Sequence, residues 1–406
     1  MSSGKKRKKK ATVRVLVSLL FLATVLILVL LFEPTPDGMS LFQKLWEKDT
    51  PTETQTRETQ EALDTETELA EVSEVYEPKI VTVTISAAGD CTFGPTHRRG
   101  YEGTFHEYYD NYGKDYFFKG VKELFEKDDF TLVNLECALT NAEAHMDKEF
   151  CLKGRPEYAQ ILPAASIEGV TIANNHTQDY FEQGLEDTKN AVTQAGVEYA
   201  FYDKDGTYTT EDGITIGFVS SSFLSYGADR EEHMKNGIAR LKEQGVDLII
   251  ACCHWGIERT YYPEDYQKNM AHNCIDWGAD LVLGCHPHVI QGVEVYQNKP
   301  IIYSMGNFCF GGNTNPSDKN SFVYQQSFTF VDGVLQPDIQ AKLIPCTISS
   351  TLAYNDYQPT IAAGDKKQEI IDLLNTYSKD LSDAYLDEEG NLVVNSSDME
   401  LQSEME

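Results

Sequence analysis

A chain of 406 residues, 41% of them hydrophobic, is long enough for two or three folded units and apolar enough for a real core. Its formal net charge is −30 at pH 7, and Lys5, Lys6, Arg7, Lys8, Lys9 and Lys10 crowd one end, so everything downstream is more acidic still. That balance argues against nucleic acid, whose phosphates need Lys and Arg, and against tight capture of an anionic polymer without metal ions or a local basic patch.

The basic segment, residues 1–12, precedes an almost purely apolar run at residues 13–32, VRVLVSLLFLATVLILVLLF. Twenty such residues at 1.5 Å each match a hydrocarbon core of roughly 30 Å. The positive cluster before it predicts a single-pass signal anchor in the cell membrane, N-terminus cytoplasmic and main domain extracellular. The EPTPDG after this run offers no small-residue cleavage site. Residues 33–79 are rich in Glu and Thr from about residue 47, and poor there in large apolar side chains, which predicts an acidic, disordered linker.

The folded part is expected to begin at residue 80, where IVTVTISA alternates in period two as a strand does, and to run to residue 348. The same punctuation then recurs: a short apolar run of β type, then a polar cluster at its carboxyl end. Residues 80–87 lead to Gly89-Asp90 and residues 130–133 to Asn134-Leu135-Glu136. Residues 170–173 lead to Asn174-Asn175-His176, and residues 246–252 to Cys253-His254-Trp255-Gly256. Residues 280–283 lead to Gly284-Cys285-His286-Pro287-His288, and residues 301–303 to Ser304-Met305-Gly306-Asn307-Phe308. Helical patterns lie between, at residues 117–126, 156–165, 183–195, 231–244 and 264–277. Strands alternating with helices predict an α/β domain on a largely parallel or mixed sheet. Residues 214–220 add a strand, residues 322–331 a late hairpin and residues 335–348 a closing strand pair. Residues 349–406 read as a C-terminal helix over residues 366–381 and an acidic tail.

The nine cysteines all lie at or beyond Cys91, in spacings foreign to a zinc ribbon. They read as small buried hydrophobes, with a Cys137–Cys151 pair left open. Ligands of open α/β sheets bind beyond the carboxyl ends of strands, and there the sequence collects Asp90, Asn134, Glu136, Asn175, His176, His254, His286 and His288. Imidazole with carboxylate suits manganese, zinc or iron rather than calcium. So many strong donors exceed the needs of one tetrahedral ion, so a second ion sharing a carboxylate is expected. Pro287 between two histidines predicts a stiff, extended chelating loop. His97, His106, His145, His233 and His272 lack this placement and read as surface residues.

The ordered series GD (89–90), NLE (134–136), ANNHxxD (173–179), HWGxE (254–258), GxHPHxxQ (284–291) and YSxGNF (303–308) resembles the CapA/PgsA family of poly-γ-glutamate capsule proteins. The resemblance implies a metallophosphoesterase-like β-sandwich flanked by helices. It implies Asp90, Glu136, Asn175, His254, His286 and His288 as ligands to one or two divalent ions, with Glu136 bridging. His176, with Asn175 and Asp179, would face the reacting group. Asn134, Lys153, Arg155, Glu258, Gln291 and Asn307 would meet the substrate. The family resemblance departs from true metallophosphoesterases at two positions: Thr92 stands where those have a first-motif histidine, and Glu136 where they have Asp. The function implied is polyglutamate synthesis or export beside a synthase or export complex. The alternative is an extracellular metal-dependent phosphoesterase acting on another envelope substrate.

Overall fold

The computed structural model describes residues 76–224 and 228–394. β1 (Ile80–Thr92) opens the fold and is followed by helix α1 (Phe105–Tyr112) and the single-turn α2 (Lys122–Phe125). β2 (Phe130–Leu135), β3 (Ala138–Leu139) and β4 (Lys153–Gly154) come next, then α3 (Ile161–Ala164) and β5 (Gly169–Thr171). Helix α4 (Phe181–Gln194) leads to β6 (Glu198–Ala200), β7 (Gly206–Thr209) and β8 (Thr215–Ser222). Two crossovers come after β8, α5 (Ala228–Gln244) into β9 (Leu248–His254) and α6 (Asp265–Trp277) into β10 (Leu281–Cys285). The remaining strands are β11 (Val293–Tyr296), β12 (Lys299–Ile302), β13 (Asn307–Phe310), β14 (Asn320–Val331), β15 (Val334–Leu335), β16 (Gln340–Thr347) and β17 (Thr360–Ile361), ahead of helix α7 (Asp365–Ser378), and the short β18 (Tyr385–Leu386) and β19 (Leu392–Val393) after it.

Most strands form a nine-stranded sheet ordered β17-β16-β14-β1-β2-β5-β6, with β13 on β1 and β15 on β14, and a six-stranded sheet ordered β11-β12-β10-β9-β8-β7, while β3 pairs with β4 and β18 with β19 in two-stranded sheets. Each of the two large sheets mixes parallel and antiparallel pairs: β1, β2, β5 and β6 run parallel while β14 is antiparallel to β1, and β8, β9, β10 and β12 run parallel between antiparallel edges.

Strand alternation decides what each sheet buries. Val83, Ile85 and Ala87 of β1 and Phe130 and Leu132 of β2 share one core with Ile216, Phe218, Leu248, Ile250, Leu281 and Leu283 of the second sheet. The opposite faces are covered separately. Val133 and Leu135 meet Phe105, Phe117 and Phe125, and Ile249 and Ala251 meet Met234, Ile238 and Leu241 of α5. Residues 349–394 join the same body, since Ile370, Ile371 and Leu374 of α7 enter the core between the sheets and Ser378 Oγ accepts the Val293 N–H at 2.8 Å.

These observations correct the fold expectation. The described residues form a mixed α/β fold with sheets, in place of the metallophosphoesterase-like β-sandwich preceded by a transmembrane helix. No helix among them is long and apolar enough to cross a membrane. The anchor expected at residues 13–32 and most of the linker lie outside the described residues. Some corrections are local. The helix expected over residues 117–126 is a single turn, because Phe117, Phe118 and Val121 are drawn into the core from turns and only Phe125 from α2. Residues 156–160 form a 3-10 turn before α3. All nine cysteines are free and buried, Cys137 and Cys151 included.

Candidate metal centre

β1 delivers Asp90 by an irregular path. Its register slips between Ala88 and Asp90 against β2, and again between Asp90 and Thr92 against β13, and such bulges re-aim a side chain at a strand end. The Asp90 N–H donates to the Gly306 carbonyl at 2.9 Å. That approach is why residue 89 is glycine, since a Cβ there would lie 1.9 Å from the same oxygen. Asp90 is fully buried. Its Oδ1 accepts from Asn134 Nδ2 at 2.7 Å and its Oδ2 from the His286 N–H at 3.2 Å, with His288 Nδ1 3.3 Å away. Burial alone would raise its pKa, but His288 and Asn134 outweigh burial and hold it below the usual carboxylate range.

The parallel register sets Asn134 beside Asp90 and Thr171 beside Asn134, while on the other sheet Cys285 stands beside His254. The carboxyl ends of β1, β2 and β5 thus meet those of β9 and β10. Asn134 ties them together: its Oδ1 accepts from Thr171 Oγ1 at 3.1 Å and Asn174 Nδ2 at 3.2 Å, and its amide nitrogen also lies 3.4 Å from His254 Nδ1.

Glu136 sits between the two groups of donors. One ligand atom from each of Glu136, His254 and His286 falls within 4.8 Å of the others, and the same holds for Asp90, Glu136 and His288. His254 Nε2 is 3.5 Å from one Glu136 oxygen and His288 Nδ1 3.8 Å from the other, too far for hydrogen bonds. Both Glu136 oxygens and His286 Nδ1 are therefore buried without a hydrogen-bond partner. Burial, with Asp90 beside it, pushes the Glu136 pKa well up. Burial and neighbouring imidazoles hold His286 down at about 4 and His254 well below its ordinary value. Burial opposes the charged form of His288, but the Glu136 and Asp90 carboxylates prevail and push it up to about 10. Oxygen and imidazole donors left unpaired, with one carboxylate common to two triads, form a set that fits one or two divalent cations.

The loop carrying His286 and His288 differs from the sequence expectation. Rather than extended, both residues adopt positive φ, 99° and 58°, so the backbone folds back on each side of Pro287. The Arg259 N–H donates to the Pro287 carbonyl at 2.7 Å, and Asn307 clasps His288 through Oδ1 to the ring at 2.9 Å and Nδ2 to the carbonyl at 3.1 Å.

His176 stands at the edge of this centre. Its Nδ1 is 2.8 Å from Asp179 Oδ2, so Nε2 is the nitrogen available to a ligand, and burial lowers its pKa despite Asp179. Asp179 is itself fully buried and pairs with Lys148, which also donates to the Asn175 carbonyl at 2.8 Å. Asn175 Oδ1 lies 2.7 Å from His254 Nε2. A cleft of about 390 Å³ runs past the centre, lined among others by His176, His288, Asn307, Glu258, Arg259 and Asp318.

Asp90, Asn134, Glu136, Asn175, His176, His254, His286 and His288 come together, Asp179 supports them, and Glu258 and Asn307 reach the cleft. Three expected residues do not reach it. Arg155 makes a two-pronged pair with Asp110 at 2.7 and 2.9 Å, and Lys153 donates to the Ala142 carbonyl at 2.8 Å. Gln291 is buried between Gln267 and the Thr260 carbonyl. Thr92 Oγ1 faces the Glu136 carbonyl at 3.3 Å, so that position supplies no donor to the triads. Of the histidines expected at the surface, only His145 is exposed; His97, His106, His233 and His272 are half-buried. Lys148 and Arg259 escaped the sequence reading, because a lone Lys in HMDKEF and an Arg after Glu258 carry no spacing signal.

The pattern of the bacterial capsule synthesis protein family PGA_cap matches residues 84–312. The chain belongs to that family. It is 32% identical over 219 residues to the PGA biosynthesis protein CapA of Bacillus subtilis, a match covering 49% of this chain and 57% of that one. The capsule biosynthesis protein CapA of Bacillus anthracis is 30% identical over 229 residues, covering 50% and 56%. A Mycobacterium tuberculosis protein named "Probable polyglutamine synthesis accessory protein" is 27% identical over 208 residues, covering 44% and 55%. The chain thus spans about half the length of the curated relatives it matches.

Proposed function

We propose that this chain is an accessory factor in poly-γ-glutamate capsule synthesis or export, and that its Glu136 centre holds one or two divalent ions that receive the polymer's carboxylates. The observation that carries the metal reading is Glu136 itself: a buried carboxylate with neither oxygen hydrogen-bonded, common to two donor triads beside an open cleft. Family membership and the names of the relatives support the polymer. The net charge of −30 favours a cation between protein and polyanion, and Arg259 is the only Lys or Arg among the described residues that line the cleft. Manganese, zinc or iron suits the imidazole and carboxylate donors. Asp90 and Glu136 supply negative charge, the histidines neutral nitrogen, and Asn134 and Asn307 fix Asp90 and His288. A polyglutamate synthase or export complex is the partner this reading requires, with the cleft outside the cytoplasm where capsule accumulates.

A second reading, a metal-dependent hydrolase, is favoured by one observation. His176 lines the cleft with its Nδ1 held by Asp179, which leaves Nε2 placed to move a proton at a bound phosphoester or amide. Bound metal would polarise that substrate.

The test replaces the native family member of a polyglutamate-producing bacterium with this full chain and measures cell-associated γ-linked glutamate. Glu136→Gln and His286→Ala should lower polymer as far as deletion does. Polymer unchanged in both variants overturns the reading. Polymer lost in these variants but kept in His176→Ala favours binding over hydrolysis.

A further inference from the structure

The loop between β3 and β4 and the segment after β1 meet at a second group of donors. Thr96 bridges Leu152, and the His97 N–H donates to the Cys151 carbonyl at 2.9 Å, which locks the two backbones side by side. Across that contact the His97 and His145 rings lie with centroids 4.3 Å apart. One ligand atom from each of His97, His145 and Cys151 falls within 4.8 Å of the others. His97 Nδ1 is buried and has no hydrogen-bond partner. His145 Nδ1 faces the Met146 carbonyl at 2.8 Å, which leaves Nε2 free to turn inward, and Cys151 Sγ contacts that same carbonyl at 3.3 Å. Two imidazoles and a thiol on two chain segments form a borderline-soft donor set, unlike the carboxylate-bearing, sulfur-free triads around Glu136.

We propose that His97, His145 and Cys151 bind one thiophilic divalent ion of the zinc class, separate from the Glu136 centre. Donors around tetrahedral zinc lie roughly 3.3–3.6 Å apart, given bonds of about 2.0–2.3 Å, so rotation of the exposed His145 side chain completes the shell. The Cys151 thiol gives its proton to solvent as the sulfur–metal bond forms, and water fills the fourth position. The ion clips the loop at residues 141–152 onto the end of β1. The same loop places Lys148 on Asp179, while the Met146 N–H donates to the Asp179 carbonyl at 2.8 Å and the Leu152 N–H to Asp179 Oδ2 at 2.6 Å. The clip therefore fixes the support beneath His176 without touching the Glu136 donors.

The experiment uses the reduced, metal-free full chain titrated with Co²⁺, whose sulfur-to-cobalt charge-transfer band in the near ultraviolet reports a thiolate ligand. Co²⁺ added in excess of the one or two ions taken by the Glu136 centre should produce the band in the parent and in His286→Ala. Cys151→Ser should abolish it, and His145→Ala should weaken cobalt binding on the order of tenfold or more, since even outer-shell partners are worth that much. His145 is exposed, so its variant folds even if Cys151→Ser does not. With Zn²⁺, amide exchange across residues 141–152 should slow in the parent and in His286→Ala, and not in His145→Ala. No band in the parent, a band that survives Cys151→Ser, or a band lost in His286→Ala overturns the proposal.

Discussion

Replacing Glu136 by Met should stabilise the metal-free protein while removing its response to metal. The Glu136 carboxyl is fully buried, and neither oxygen has a hydrogen-bond partner. Burial and the neighbouring Asp90 push its pKa well up, and without a cation it imposes at least the cost of an unsatisfied buried polar group, about 1–3 kcal/mol. Met is unbranched, nearly as long, and adaptable, so it removes that cost with little overpacking. The net gain should be about 1–2 kcal/mol, which for a folded body of this size raises the melting temperature by roughly 2–4 °C. His288 keeps Asp90 at 3.3 Å as its carboxylate partner, so the substitution does not strand that imidazole. The parent should gain from Mn²⁺ instead: at a hundredfold excess over its dissociation constant, about 2.7 kcal/mol. Thermal melts in EDTA and in Mn²⁺ should therefore cross, with Glu136→Met the more stable in EDTA and the parent the more stable in Mn²⁺. A variant that melts below the parent in EDTA, or that responds equally to Mn²⁺, would refute the idea that this carboxylate is kept for a cation.

Gly89→Ala should cost about 3 kcal/mol or more, read as a lowered denaturation midpoint, because the new Cβ meets the Gly306 carbonyl at 1.9 Å and neither strand can yield. Asp179→Asn should cost about 3 kcal/mol in the same assay by stranding Lys148 and loosening His176, whereas Arg155→Ala should cost under about 1 kcal/mol and leave Mn²⁺ binding unchanged. Burial pushes Asp128 and Glu168 up to about 7, both beside Thr131 at the start of β2. Between roughly pH 4 and 7 these two groups hold protons in the folded protein that the unfolded chain releases, so their contribution to stability is fully present below pH 4 and is lost as pH rises through 7. Halved for partial exposure, the Asp128 share is about 2 kcal/mol. The lowered pKa values of His286, His254 and His176 act in the opposite sense below about pH 6.5, so the test is the difference: the urea midpoint of Asp128→Asn minus that of the parent should grow from pH 5 to 8, and a constant difference would exclude this assignment.

β-Branched runs announce the strands in the sequence, and the polar clusters at their carboxyl ends announce the site. Six of the eight donors that the sequence placed at strand ends, Asp90, Asn134, Glu136, His254, His286 and His288, meet through parallel register, which holds neighbouring carboxyl ends level. The limits were equally physical. An apolar run such as residues 117–126 has helical spacing, yet Phe117 and Phe118 are buried just as well from turns. Lys153 and Arg155 carry charge suited to a substrate, but nearby acceptors, the Ala142 carbonyl and Asp110, capture them, and no spacing rule reveals such partners. The bend at His286 and His288 escaped because Pro287 restrains its own φ, while contacts from Asn307 and Arg259, remote in sequence, set the residues around it.

A surface that served only as a docking module would have no reason to hold this centre in its present form. Two buried carboxylates, Asp90 and Glu136, point at one another's neighbourhood, and each added negative charge raises the cost of the other. His286 and His288 both occupy left-handed backbone, which costs on the order of 1 kcal/mol or more per residue. His286 Nδ1 is buried without a partner. Each of these is an ordinary route to instability, and each could be relieved by one substitution to an apolar or smaller residue. They are concentrated where the carboxyl ends of the two sheets meet, while the shared core around Ile85, Phe218 and Leu283 is uniformly apolar. Single costs of these kinds occur elsewhere, as at Asp128 and Ser166, but here several fall together with donors of matching chemistry converging on them, which is what a site stabilised by its ligand would require.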